Sequence, residues 1–196
     1  MTGERISEAQ AARFRRLAWP RLAAVLRTAR CLTRDPAEAE DLAQETMVKA
    51  MRAIDRYTEG TDVKAWLLTI LRRTHIDRLR SGRPRPNEVS LDERMIDTAG
   101  NGAAPAGAFD EHWTEPEQLM GRFEDEAVAE ALRALPDDIR WTLLLVDVEQ
   151  MEQADAATVL GVAVGTIKSR AHRGRAMLRD RLHRLAVRRG WVSESE

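Results

Sequence analysis

The chain has 196 residues, enough for one ordinary domain or two small ones, and is 43% hydrophobic but only 5% aromatic, so any core is mostly aliphatic. A single cysteine, Cys31, excludes an intramolecular disulfide, and the four histidines, His75, His112, His172 and His183, lack metal-ligand spacing, so no metal site is expected. The net charge of −1 conceals segregation: from Gly161 to Gly190 there are nine basic residues against one acid, Asp180.

No run of apolar residues approaches the roughly 18 that a membrane span needs, and the N-terminus lacks the apolar centre of a signal peptide. The expectation is a cytoplasmic protein without membrane insertion. Helical periodicity runs from about Glu8 to Ser81 and again from about Phe123 to Arg189, with no alternating pattern that argues for a strand. The predicted fold is all-α, with helical domains at 8–81 and 123–189 joined by a flexible linker at 82–122.

In the first block, Asp35 is a natural N-cap, Pro36 suits a first helical turn and Glu38 favours the positive helix end, which predicts a helix over about 36–54. Its apolar stripe is Ala39, Leu42, Ala43, Met47, Ala50 and Ile54. The opposite face carries Glu38, Asp41, Glu45, Lys49 and Arg52, which by periodicity alone is a solvated, charge-balanced surface.

A turn-like stretch from Tyr57 to Asp62 leads into a helix from Val63 to Arg80. Trp66, Leu67, Ile70, Leu71, Ile76 and Leu79 form its expected buried side, and Arg72, Arg73, Arg78 and Arg80 a basic edge able to meet phosphates. The stretch that follows contains Pro84, Pro86, Pro105 and Pro116 with Gly100, Gly102 and Gly107, residues that interrupt helices. It is acidic, with eight acids against four arginines between Arg83 and Arg122.

From Ala154 to Arg173 the chain has the layout of a helix-turn-helix. Ala157 is small where two helices must cross, Gly161 can take the left-handed conformation that ends the first helix, and Val162 and Ile167 can anchor the turn. Thr166, Lys168, Ser169, Arg170 and Arg173 then face outward, hydroxyls and cations suited to base edges and phosphates in a major groove.

These segments together resemble the extracytoplasmic-function group of sigma-70-family sigma factors. Asp-Leu-Ala-Gln-Glu at 41–45 is similar to the region-2.2 motif, and Gly60 to Leu67 with the basic helix to regions 2.3 and 2.4. Leu135-Pro136 and the helix through Asp147-Val148-Glu149 resemble region 4.1, and Leu160-Gly161 and Val164 to Arg170, with Arg173, Arg175 and Leu178, resemble region 4.2. Met151 to Ala156, Arg73 and His75 depart from the usual family residues.

The resemblance implies a non-enzymatic, cofactor-free subunit that directs core RNA polymerase to promoter DNA. Asp41, Gln44 and Glu45 would dock the β′ clamp helices. Tyr57, Thr58, Thr61, Asp62, Lys64, Arg72, Arg73 and Arg78 would engage the minus-10 element, with the Tyr57 to Lys64 loop holding an extruded base. Thr166, Lys168, Ser169, Arg170 and Arg173 would read the minus-35 element. The β flap of the polymerase and an anti-sigma factor are the other implied partners, and the linker would follow the RNA path.

Two other readings use the same segments. A sigma-like decoy would bind an anti-sigma factor without driving transcription, but the retained Lys168, Ser169, Arg170, Arg173, Arg72 and Arg78 speak against lost DNA contacts. A conventional helix-turn-helix regulator would leave the 41–45 motif unexplained and shows no dimerisation element. An enzyme would need a phosphate-cradling glycine loop, a metal cluster or a nucleophile set, and none is found.

Overall fold

The structure, a computed structural model, describes residues 6–81, 125–190 and 192, and every regular element among them is helical. The expected linker at 82–122 lies outside the described residues.

Helix α1, Glu8–Leu17, opens on a capping box in which the Gln10 amide donates to Ser7 Oγ at 3.1 Å and the Ser7 amide to Gln10 Oε1 at 2.9 Å. A 3₁₀ turn, Trp19–Arg21, leads into α2, Leu22–Leu32, which buries Val25, Ala29 and Leu32. Helix α3 is Pro36–Ala53, and Asp35 caps it by accepting from the Ala37 amide at 2.9 Å. The whole expected stripe from Ala39 to Ile54 is buried, Ile54 lying in the 3₁₀ turn Ile54–Arg56. Helix α4 is Val63–Ser81.

The second half comprises α5, Asp125–Arg133, and α6, Asp137–Leu143, which widens into a π-helical turn, Leu144–Val148. Helix α7, Gln153–Leu160, and the 25-residue α8, Val164–Arg188, form the helix-turn-helix. Gly161 closes α7 at φ 66°, ψ 40°, and the Val162 amide donates to Ala157 O at 3.0 Å, the left-handed cap its lack of a Cβ allows. Helix α8 crosses α6 at Gly174, where an added Cβ would stand 2.7 Å from Ile139 Cγ2 and 3.1 Å from Leu143 Cδ1.

The two halves are not independent bodies. One continuous buried cluster joins Leu42, Leu67 and Leu71 of the first half to Leu132, Leu144 and Ile167 of the second, with α2 against α5 and α4 against α7. This docking changes which side of α4 is covered. Leu68, Thr74 and His75 are buried, His75 with its ring 6.3 Å from that of Trp141, whereas Leu79, expected in the core, is 50% exposed. None of the helices among the described residues is long and apolar enough to cross a membrane.

Candidate partner-docking and nucleic-acid interfaces

The polar face of α3 presents Asp41 and Gln44 to solvent, with Glu45 half-buried behind them. Glu45 is held from two sides: Lys49 Nζ, one turn on, lies 2.9 Å from Oε1, and Arg78 Nε of α4 donates to Oε2 at 2.8 Å. Arg78 also donates to Asp41 O at 2.9 Å. The hydrogen bond from Lys49, opposed by partial burial and reinforced by Arg78, holds the Glu45 carboxyl below its usual range. The face is a preoriented polar patch in which the Glu45 charge is compensated by Lys49 and Arg78. Arg78 therefore serves this patch rather than the basic edge to which the sequence assigned it.

The 57–62 loop is organised from beneath. Tyr57 is only 6% exposed, packs 5.2 Å from the Trp66 ring and donates its hydroxyl hydrogen bond to Thr61 O. This corrects its expected role: a ring so enclosed shapes the loop and does not reach a base. Thr61 Oγ1 donates to Thr58 O at 2.8 Å, and Asp62 Oδ1 accepts from the Lys64 amide at 2.8 Å, starting α4. Thr58, Thr61 and Asp62 are exposed along the rim.

Helix α1, which the sequence reading left without a role, clamps this loop. Arg13 Nη2 donates to Tyr57 O at 2.7 Å, Arg16 pairs with Glu59 at 2.9 Å, and Gln10 Nε2 donates to Asp55 Oδ2 at 2.6 Å. The cations of α1 are spaced at helical intervals, but their partners lie more than forty residues on and carry no local signal.

On α4, Arg73 is exposed and Arg72 half-buried. Burial, then the nearby Arg170 and Arg73 charges, lower the Arg72 pKa, and its Nε is buried without a hydrogen-bond partner. Lys64 turns inward and donates from Nζ to Glu149 O.

On α8, Lys168, Ser169 and Arg173 are exposed within the first three turns, Thr166 is half-buried, and Ile167 and Ala171 pin the helix to the core. Arg170 leans to Asp138 of α6 at 3.3 Å. Arg175, matched by the resemblance, is not on this surface: it forks onto Asp147 at 2.7 and 3.1 Å and fastens α8 to the π turn. The exposed set is a short hydroxyl and two cations at a helix N-terminus held clear of the core, the arrangement with which a helix enters a major groove.

Comparison with known proteins agrees with this geometry. Residues 21–85 match the Sigma-70 region 2 model and residues 125–178 the Sigma-70, region 4 model. The chain is 36% identical over 148 residues to the ECF RNA polymerase sigma factor SigC of Mycobacterium tuberculosis, covering 74% of this chain and 71% of that protein. It is 31% identical over 182 residues to SigL of the same species, covering 92% and 95%. Among solved structures, the sigma factor RpoE from Bartonella quintana, in complex with the anti-sigma factor NepR, superposes with a TM-score of 0.62 at 28% identity, covering 87% and 96%. The chain belongs to the ECF group of sigma-70-family RNA polymerase sigma factors.

Proposed function

We propose that the protein binds core RNA polymerase through the α3 face and directs it to promoters read in two parts. The observation that carries this reading is the polar α3 patch of Asp41, Gln44 and Glu45, in which Lys49 and Arg78 fix the Glu45 carboxylate and which is separate from the basic α8 surface. A fixed Glu45 carboxylate beside the exposed Asp41 and Gln44 offers ion-pair and hydrogen-bond partners to a helical clamp, and its preorganisation lowers the ordering cost of docking.

Promoter reading divides by chemistry. Lys168, Ser169 and Arg173, with Thr166 and Arg170 beside them, supply groove donors and phosphate cations for the minus-35 element. The rim of Thr58, Thr61 and Asp62, with Lys64, Arg72 and Arg73, supports capture of an extruded minus-10 base and its backbone. The domains at 8–81 and 123–189 act as tethered readers: polymerase holds them at one separation, so two modest contacts combine into one specific one. Chemistry belongs to the polymerase, and an anti-sigma factor is the expected regulator, as the RpoE–NepR complex shows for that relative.

The test is binding to sigma-free core by fluorescence titration. The wild type should bind, and Asp41→Arg/Glu45→Arg should lose at least about a hundredfold in affinity, the scale of reversed charges across a docked interface. Equal binding of both proteins would remove the α3 face from the account.

A further inference from the structure

The second half of the chain places a carboxylate inside the first. Glu149 follows the π turn, its side chain only 1% exposed, and it accepts from Arg27 Nε at 2.8 Å and Nη2 at 2.9 Å, with Thr28 Oγ1 at 3.4 Å. Lys64 donates to its main-chain carbonyl. The local backbone is shaped for this delivery: five π-helical residues precede Glu149, and Gln150 takes φ 51°, a conformation uncommon for a residue with a Cβ. A second contact lies alongside, where Arg133 Nη1 donates to Arg30 O at 3.1 Å and Thr33 O at 3.2 Å at the end of α2.

A buried fork of this kind is weak evidence for stability, because apolar residues of similar size would pack there without the cost of desolvating two charges. What it provides is selectivity and easy reversal: broken on either side, it leaves a charge that must seek water. The same contact surface also covers functional groups. Lys64 is committed to Glu149, and Arg72 is half-buried with an unpartnered Nε.

We propose that Arg27 and Thr28 form a socket for the Glu149 carboxylate, with Lys64 holding the main-chain carbonyl of the same residue, and that this latch holds the free protein closed with part of its DNA-binding surface covered. Promoter binding requires the latch to open. The covering of DNA contacts rests on the function proposed above; the latch itself does not.

The full chain is compared with Glu149→Gln, Arg27→Ala and the swap Arg27→Glu/Glu149→Arg by small-angle X-ray scattering, with circular dichroism confirming unchanged helix content. Arg27 is 52% exposed, so its truncation tests the latch without opening a core. The radius of gyration should rise in both single variants and fall back in the swap. Single variants as compact as the wild type would overturn the latch. Affinity for mixed-sequence single-stranded DNA should rise about tenfold in the single variants, the gain expected when a minor open state becomes dominant. Expansion without that gain would overturn the covering of DNA contacts while leaving core docking, measured separately, untouched.

Discussion

Arg78 of α4 and Glu45 of α3 meet at 2.7 to 2.8 Å, so a cation from the helix that follows the 57–62 loop orients the acid expected to dock polymerase. Arg78→Ala should weaken core binding about three- to tenfold while shifting thermal stability little, because exposed ion pairs contribute only about 0–1 kcal/mol. Titration against core and a melting curve check both halves. Loss of promoter binding with intact core binding would return Arg78 to the DNA surface.

Glu45 has a carboxyl held below its ordinary 4.5, so the stability it contributes is complete above that value and is lost as pH falls through the lowered one. Its charge should therefore persist under mildly acidic conditions. Core affinity should vary little with the protonation of Glu45 down to about pH 5, where an ordinary glutamate is already partly protonated. Titrations across that range, compared with Glu45→Gln, check it.

Gly174 lies against Ile139 and Leu143, both buried, so Gly174→Ala must displace two core side chains at the crossing of α6 and α8. The expected destabilisation is about 1–3 kcal/mol, and chemical denaturation measures it. Gly165, with open space around its Cβ position, is the control: Gly165→Ala should be neutral or mildly stabilising in the first turn of α8.

His75 is buried against Trp141, with Arg140 of α6 and Arg78 of α4 nearby. Burial first, then those two charges, lowers its pKa from 6.5, so the native state binds fewer protons than the unfolded one. Stability is complete above 6.5 and declines as pH falls through the lowered value. Melting temperatures recorded across this window should fall for the wild type, and His75→Phe should flatten the slope.

Lys168 and Arg173 are exposed cations on α8. Replacing either with Ala should weaken duplex binding and lower the salt slope by about one where its contact is a phosphate. If instead discrimination between sites is lost, that residue reads a base edge. Affinities measured over a salt series separate the two.

Much of this was legible in sequence because it is local. The Asp35 cap, the α3 stripe and the left-handed Gly161 each depend on residues within a few positions, and all stand as read. The misassigned residues depend on distant partners. Leu79, expected in the core, is exposed because α6 and α7 cover another side of α4, and Tyr57 is buried because Trp66 and the α1 clamp enclose the loop. Glu149 reads as one more acid near the end of a helix, and only the π turn and Gln150 aim it across 122 residues of sequence at Arg27.

The central claim, that this chain gives polymerase its promoter choice, is tested most directly by mapping transcription starts on genomic DNA in vitro. Sigma-free core would be supplied with the wild type, Asp41→Arg/Glu45→Arg or Lys168→Ala/Arg173→Ala. The wild type should initiate at sites sharing a spaced two-part motif, the first variant should yield no specific starts, and the second should lose the upstream half of the motif. A wild type that binds core yet gives no specific starts would contradict it.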